Sequence, residues 1–241
     1  MATLGGQLAR AAFSHPDKTA LTFGDSVRSY RQVDDEVNQH AHALAALGVS
    51  RGDRVALMSG NSDAFILAMY AVFRLGAIFV PLNPRAAAHE LRHLIADSGA
   101  TVLLLGPGMN DVVHRFTELE PVEQQLQVLA LYDDAELPSL PALAADHPVT
   151  APDVEVAEDD DCMIIYTSGT TGLAKGALFD HHRLLWVGHS IASLGMTTSD
   201  RHLHVAPMYH CAQLVLYVLG GFSMGASHVV MPAFDPREVA D

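Results

Sequence analysis

Cysteine is nearly absent: the chain has two in 241 residues, Cys162 and Cys211. Neither belongs to a C-x-x-C pair, which excludes a disulfide framework and a thiolate metal cluster. Basic residues are also scarce, 14 against 28 acidic ones, for a formal net charge of −14. Nucleic-acid backbones and anionic membranes reward lysine and arginine, so neither is expected as the main partner. A small phosphate ligand is not excluded, because one loop of backbone N–H groups can hold an anion inside an acidic protein. The first ten residues, MATLGGQLAR, lack a basic stretch followed by a long apolar run. This predicts no signal peptide and a cytoplasmic protein. Residues 64–82 are almost continuously apolar, but Arg74, Gly76 and Pro81 interrupt them. They read as a buried helix followed by a strand, not as a membrane span. There is no internal repeat and no low-complexity tract, and the 14 histidines show no metal-ligand spacing.

What is present alternates between helical and strand patterns with short turns between them, the signature of a layered α/β fold. Helices are predicted over 33–47, 62–75, 87–97, 182–194 and 211–224. Strands are predicted over 54–58, 77–81, 101–105, 162–166, 177–179, 202–206 and 227–231. Residues 132–161 are rich in Asp, Glu, Pro and Ala and have no period. They read as a solvated connection between a first α/β lobe, 1–131, and the start of a second, 162–241. The single tryptophan, Trp186, is assigned to the core.

The string YTSGTTGLAKG over 166–176 packs three glycines, three threonines, a serine and a lysine into eleven residues. Glycine lets the backbone approach a ligand closely. Successive N–H groups can then converge on one anion. The hydroxyls of Thr167, Ser168, Thr170 and Thr171 add donors, and Lys175 adds a mobile positive charge suited to phosphate. This is not the Walker loop, in which the lysine directly follows a glycine and precedes Ser or Thr; here Ala174 and Gly176 flank Lys175. By composition alone, a flexible polar hairpin between two strands is the alternative.

The order of the string decides between them, because it resembles the Y-T-S-G-T-T-G-x-P-K-G signature of the adenylate-forming superfamily. That superfamily comprises acyl-CoA synthetases, peptide-synthetase adenylation domains and luciferases. Ala174 stands where proline is usual, which removes a stiffening residue but no phosphate donor. The resemblance covers the whole chain. SYRQV over 29–33, GVSRGDRVA over 48–56 and LGAIFVPLNP over 75–84 are similar to family segments that shape and pack the fold. PMYH over 207–210 resembles the family motif whose histidine lies beside the acyl carboxylate and adenylate, which implies an active-site role for His210. DHHRL over 180–184 resembles a helix opening, so His181 and His182 are assigned to capping and packing.

The resemblance implies an ATP-dependent acyl-CoA synthetase of the fatty-acid–CoA ligase type. A carboxylic acid, fatty or aryl, would be activated on Mg·ATP as an acyl-adenylate and then passed to CoA. Thr167, Ser168, Gly169, Thr170, Thr171, Gly172 and Lys175 would hold the β- and γ-phosphates, with Mg2+ arriving on ATP and no protein metal ligand assigned. The alternatives are an adenylation domain for an amino acid and a non-catalytic nucleotide-binding or interaction fragment. Family members are about twice this length. The family's Y-G-x-T-E segment, ribose-binding aspartate and C-terminal catalytic lysine have no counterpart here. At the end of the chain Asp235, Pro236 and Glu238 mark the cap of a helix with about one turn to run. The chain therefore reads as an N-terminal portion, truncated, inactive by itself, and exposing apolar surface through which two copies pair.

Overall fold

The computed structural model describes residues 3–112, 126–134, 136–167, 173–237 and 239, and the backbone alone at 191 and 192. Helix α1 (Leu4–Ser14) leads into an antiparallel pair, β1 (Thr19–Phe23) and β2 (Ser26–Ser29). Alternating elements follow: α2 (Tyr30–Ala46), β3 (Arg54–Met58), α3 (Asp63–Arg74), β4 (Ile78–Leu82), α4 (Ala88–Ser98) and β5 (Val102–Leu105). Next come β6 (Gln127–Ala130), the short α5 (Leu140–Ala144), β7 (Asp161–Thr167), β8 (Lys175–Asp180) and α6 (His181–Ala192). The described chain closes with β9 (Arg201–His204), a π-helical segment (Ala212–Leu219), α7 (Gly220–Met224) and β10 (Ser227–Val230).

The strands build two sheets. One has six strands in the order β6-β5-β3-β4-β7-β8, parallel except for the terminal antiparallel β8. The other has four in the order β2-β1-β10-β9. The layered α/β class predicted from the sequence is the observed one, but pairing crosses the connection at 132–161. Strand β7 joins β4, and β10 joins β1 in parallel, so each sheet takes strands from both sides of that segment. Nor is the connection simply solvated. Asn38 and Gln39 on α2 donate to the carbonyls of Val149, Ala145 and His147, while Leu140 and Ala144 are buried.

The apolar run at 64–82 explains the layering. Eleven of the twelve residues of α3 are buried, leaving it no solvent face, and it packs against β4 of one sheet and β1 of the other. Phe65 and Phe73 meet Phe79 of β4 edge to face, with ring centroids 5.5 and 6.1 Å apart. Polar groups close both ends of α3. Ser62 caps its N terminus through the Phe65 N–H. Asp63 pairs with Arg28 at 2.6 Å and accepts the Tyr132 hydroxyl at 2.6 Å. At the other end Arg74 pairs with Asp34 at 2.5 Å. Among the described residues no helix is long and apolar enough to cross a membrane. On the outer face of the six-stranded sheet, α4 lays Leu91, Leu94 and Ile95 over Met58, Val80, Leu82 and Leu103. It stops at Gly99, whose φ of 67° suits glycine.

Several details differ from the sequence reading. Helix α1 and the β1–β2 hairpin were not predicted, nor were β6 and α5. The helix expected over 211–224 is wound as a π-helix through Leu219 before it becomes α-helical. Hydropathy spacing does not separate the two windings over so short a span. Trp186 is 67% exposed, not in the core, because it lies on the outward face of α6. Asp180, not a histidine, satisfies the start of α6 by accepting from the Arg183 N–H at 2.7 Å. His181 is fully buried and packs on Phe73, and its Nδ1 accepts from the Leu4 N–H at 3.3 Å. At 235–239 the Asp235 carboxylate accepts from the Arg237 N–H, as a cap should; Glu238 lies outside the described residues.

Between the four-stranded sheet and α7 runs a chain of imidazoles. The Gln213 amide donates to His204 Nδ1 at 2.6 Å, which puts the His204 proton on Nε2. That nitrogen donates in turn to His228 Nδ1 at 2.7 Å, and the His228 ring stacks on Phe222 with centroids 3.8 Å apart. Burial pushes His204 down to about 3, and burial drives both His40 and His181 to about 4. These side chains are neutral when folded and take up protons near 6.5 when unfolded. Their contribution is therefore complete above pH 6.5 and lost as pH falls towards 4, by up to about 1.4 kcal/mol per pH unit for each histidine. Urea unfolding midpoints should thus drop steeply between pH 7 and pH 5. An unchanged midpoint would contradict the buried neutral assignment.

Candidate active site

The string at 166–176 forms the end of the β7–β8 hairpin. Tyr166 pairs with Gly176 and Thr167 with Lys175, so residues 168–174 bridge the two strands. Ser168, Gly169, Thr170, Thr171 and Gly172 lie outside the described residues; Thr167 and Lys175, which flank them, are described and exposed. Strands β7 and β8 thus pair as the hairpin that composition left open, with Thr167 and Lys175 at its described ends.

Local packing fixes the base of this turn. A β-carbon at Gly176 would sit 2.8 Å from Ile164 Cγ2 and 3.3 Å from the Tyr166 ring, so the position has room for glycine alone. The Tyr166 hydroxyl donates to Asp97 of α4 at 2.7 Å. Burial, together with this carboxylate partner, holds the phenol above its ordinary pKa, so it stays protonated and donating. The Thr167 hydroxyl donates to the Lys175 carbonyl at 3.4 Å.

The PMYH motif reaches the same place from the other side. After β9 the chain turns at Pro207, and the His210 N–H donates to the Pro207 carbonyl at 3.1 Å. The Tyr209 and His210 rings lie 4.4 Å apart, and His210 is exposed. Asn61, buried in the turn after β3, holds this motif by both ends of its amide. It donates to the Ala206 carbonyl at 2.9 Å and accepts from the Met208 N–H at 2.8 Å.

A cleft of about 300 Å³ opens between these parts. Tyr166, Thr167 and Ala174 line one wall, Tyr209, His210 and Cys211 another, and Asn83 and Glu90 the rim. Residues 44 apart in sequence, Tyr166 and His210, thus face one space. Glu90 is the one carboxylate in this lining, and no group of three His, Cys, Asp or Glu among the described residues could hold a metal ion. A larger cavity, about 480 Å³, runs along α6 past Gln7, His182, Leu185, Trp186 and His189, and none of the described residues of the 166–176 string lines it. Sequence reading missed Asn61, Asn83, Glu90 and Asp97. For Asn61 the signal was available, since a Ser-Gly-Asn turn directly follows β3 and directly precedes Ser62, the cap of α3. Asn83 and Glu90 reach the cleft, and Asp97 reaches Tyr166, only through the packing of α4 and β4.

Replacing Asn61 by Ala removes both backbone bonds to the 206–208 turn and leaves a buried N–H without a partner. The expected loss is roughly 1–3 kcal/mol of unfolding free energy. Equilibrium denaturation measures it, and a cost near zero would show that the turn is held by other contacts.

Comparison with known proteins gives a consistent result. The family described as AMP-binding enzyme matches residues 8–241. A feruloyl-CoA synthase of Amycolatopsis sp is 35% identical over 98% of this chain and 45% of its own length. A solved structure of a Mycobacterium tuberculosis fatty acyl CoA synthetase superposes with a TM-score of 0.91 at 31% identity, covering 100% of this chain and 47% of that one. ATP-bound MatB from Rhodopseudomonas palustris superposes with a TM-score of 0.86 at 26% identity, covering 99% and 46%. The chain spans about half the length of the relatives it matches.

Proposed function

The chain belongs to the AMP-binding enzyme family, and from that premise we propose that it supplies the phosphate-binding part of an ATP-dependent acyl-CoA synthetase acting on a fatty or aryl carboxylic acid. The observation that carries the proposal is the single cleft on which the ends of the phosphate string and the PMYH motif converge. The likeness to a feruloyl-CoA synthase and to a fatty acyl CoA synthetase supports the acid class.

In the first step a carboxylate oxygen bonds to the α-phosphorus of ATP as the bond from that phosphorus to the β-phosphate oxygen breaks. The products are acyl-adenylate and pyrophosphate. In the second, a thiol such as that of CoA takes the acyl group and AMP leaves. The first step calls for charge stabilisation more than for proton transfer, because negative charge spreads over the phosphate oxygens. Thr167 and Lys175 stand where the string meets its two strands, and their role is to hold the β- and γ-phosphates together with the intervening Ser168, Gly169, Thr170, Thr171 and Gly172. The Lys175 ammonium is exposed and free to follow the departing pyrophosphate. The His210 imidazole can donate to the carboxylate or to the developing phosphoanion. Mg2+ comes with ATP, and the single rim carboxylate, Glu90, is no chelating cluster.

Titration calorimetry with Mg·ATP should detect binding that Lys175→Ala weakens about tenfold, the scale of one charge-assisted hydrogen bond. Equal affinity for both proteins would overturn the role given to Lys175. ATP–pyrophosphate exchange with a panel of fatty, aryl and amino acids should stay at background for these 241 residues alone, because they contain no adenine-contacting Y-G-x-T-E segment. Robust exchange would overturn that expectation, and the acid that supports it would name the substrate class. The exposed Trp186, Leu194, Leu203 and Tyr217 favour pairing of two copies. A clean monomer on size-exclusion chromatography would count against such pairing.

A further inference from the structure

Helix α4 lies along the base of the β7–β8 hairpin and touches β7 at Tyr166 and the residue before β8, Ala174. His93 and Asp97 are four residues apart, so they project from one face of α4. His93 Nε2 lies 3.0 Å from the carbonyl of Ala174, the residue just before β8. A carbonyl only accepts, which puts the His93 proton on Nε2. Asp97 accepts the Tyr166 hydroxyl from β7 at 2.7 Å, and the Leu94 carbonyl lies 3.4 Å from the same oxygen. Between these two bonds, Tyr166 and Ala174 pack on the apolar cluster that contains Leu91, Leu94 and Ile95.

We propose that His93 is a positioning residue for the phosphate string, fixing Ala174 by a hydrogen bond where the usual proline would stiffen the chain covalently. Proline restricts this position by locking its φ angle. An alanine has no such restraint, so the strand entering β8 gains conformational freedom just before Lys175. The His93–Ala174 bond removes that freedom from outside, and the Asp97–Tyr166 bond does the same on the opposite strand. One helix thus splints both legs of the turn. Because α4 is itself held by Leu91, Leu94 and Ile95 against the parallel sheet, the splint has a rigid support. A side-chain-to-backbone bond of this kind is worth a several-fold change in local opening.

This inference rests on the proposed function for its consequence, the placing of Lys175 for phosphate, but the restraint itself can be measured without nucleotide. Three variants of the 241-residue chain separate the possibilities. His93→Phe keeps a ring of similar size and removes the donor. His93→Gln keeps an N–H donor at comparable reach. Ala174→Pro in the His93→Phe background supplies the covalent restraint instead. Hydrogen–deuterium exchange of peptides spanning residues 166–176 should be about three- to tenfold faster in His93→Phe than in the parent chain. It should return towards the parent rate in His93→Gln and in the double variant, with exchange in α3 and β3 unchanged throughout. In parallel, Mg·ATP affinity should fall in His93→Phe and recover in both rescues. Exchange unaltered by His93→Phe would overturn the proposal, as would an acceleration that neither rescue reverses. If the parent chain binds no Mg·ATP, the functional reading fails while the exchange measurements still decide the splint.

Discussion

Helix α3 has no face for water, and that single constraint organises the molecule. A helix apolar all round must be enclosed, so one sheet closes over it through β4 and the other through β1. At 1.5–3 kcal/mol for each large side chain buried, the aromatic and aliphatic residues of α3 dominate the packing energy of this layer. Its ends carry charge into that layer only in paired form, Asp63 with Arg28 and Arg74 with Asp34. Removing Arg28 would leave the Asp63 carboxylate, whose side chain is 6% exposed, without its cation. The position of β4 follows from the enclosure, and the position of β7 follows from β4. The β7–β8 hairpin therefore hangs on a seam whose placement is decided at the centre of the molecule.

The site inherits its geometry from three separate supports. Asn61, in the turn before α3, ties down the PMYH turn by two backbone bonds. Asp97 and Tyr166 tie α4 to β7, and Gly176 lets the Tyr166 ring lie flat on β8. Each support belongs to an element already immobilised by the core, so the cleft is shaped by rigid parts while its donors lie at loop ends.

Much of this was legible in the residues. The strand at 54–58 and the helix at 62–75 were plain because their hydropathy is strongly patterned and glycine or a capping serine closes them. The family was plain from the string at 166–176 because eleven residues in one order carry far more information than their composition. What escaped reading is non-local or weakly patterned. No short window reveals that β1 lies beside β10, or that strands on either side of 132–161 interleave. Trp186 looked like core because large aromatics usually are, yet α6 turns it outward. Helix α1, with two glycines near its start, has little to announce it before it packs on α3. Asn61 was hidden for the opposite reason, since an asparagine in a turn explains itself locally and its second role appears only with the 206–208 segment in place.

The parallel pairing of β1 with β10 has a consequence for biosynthesis. Leu21 lies against His228, so the four-stranded sheet joins residues about 200 positions apart in the chain. At ribosomal rates of about 5–20 residues per second, β1 emerges on the order of 10–40 s before its partner exists. Through that interval β1 and β2 form at most an isolated two-stranded ribbon, which is marginal in water, and Leu21 has no core to enter. The six-stranded sheet can gather β3, β4, β5 and β6 meanwhile, since those pairings span far shorter separations. The nascent chain thus carries β1 without its β10 partner until residues 227–230 arrive, an exposed strand of the kind chaperones shield.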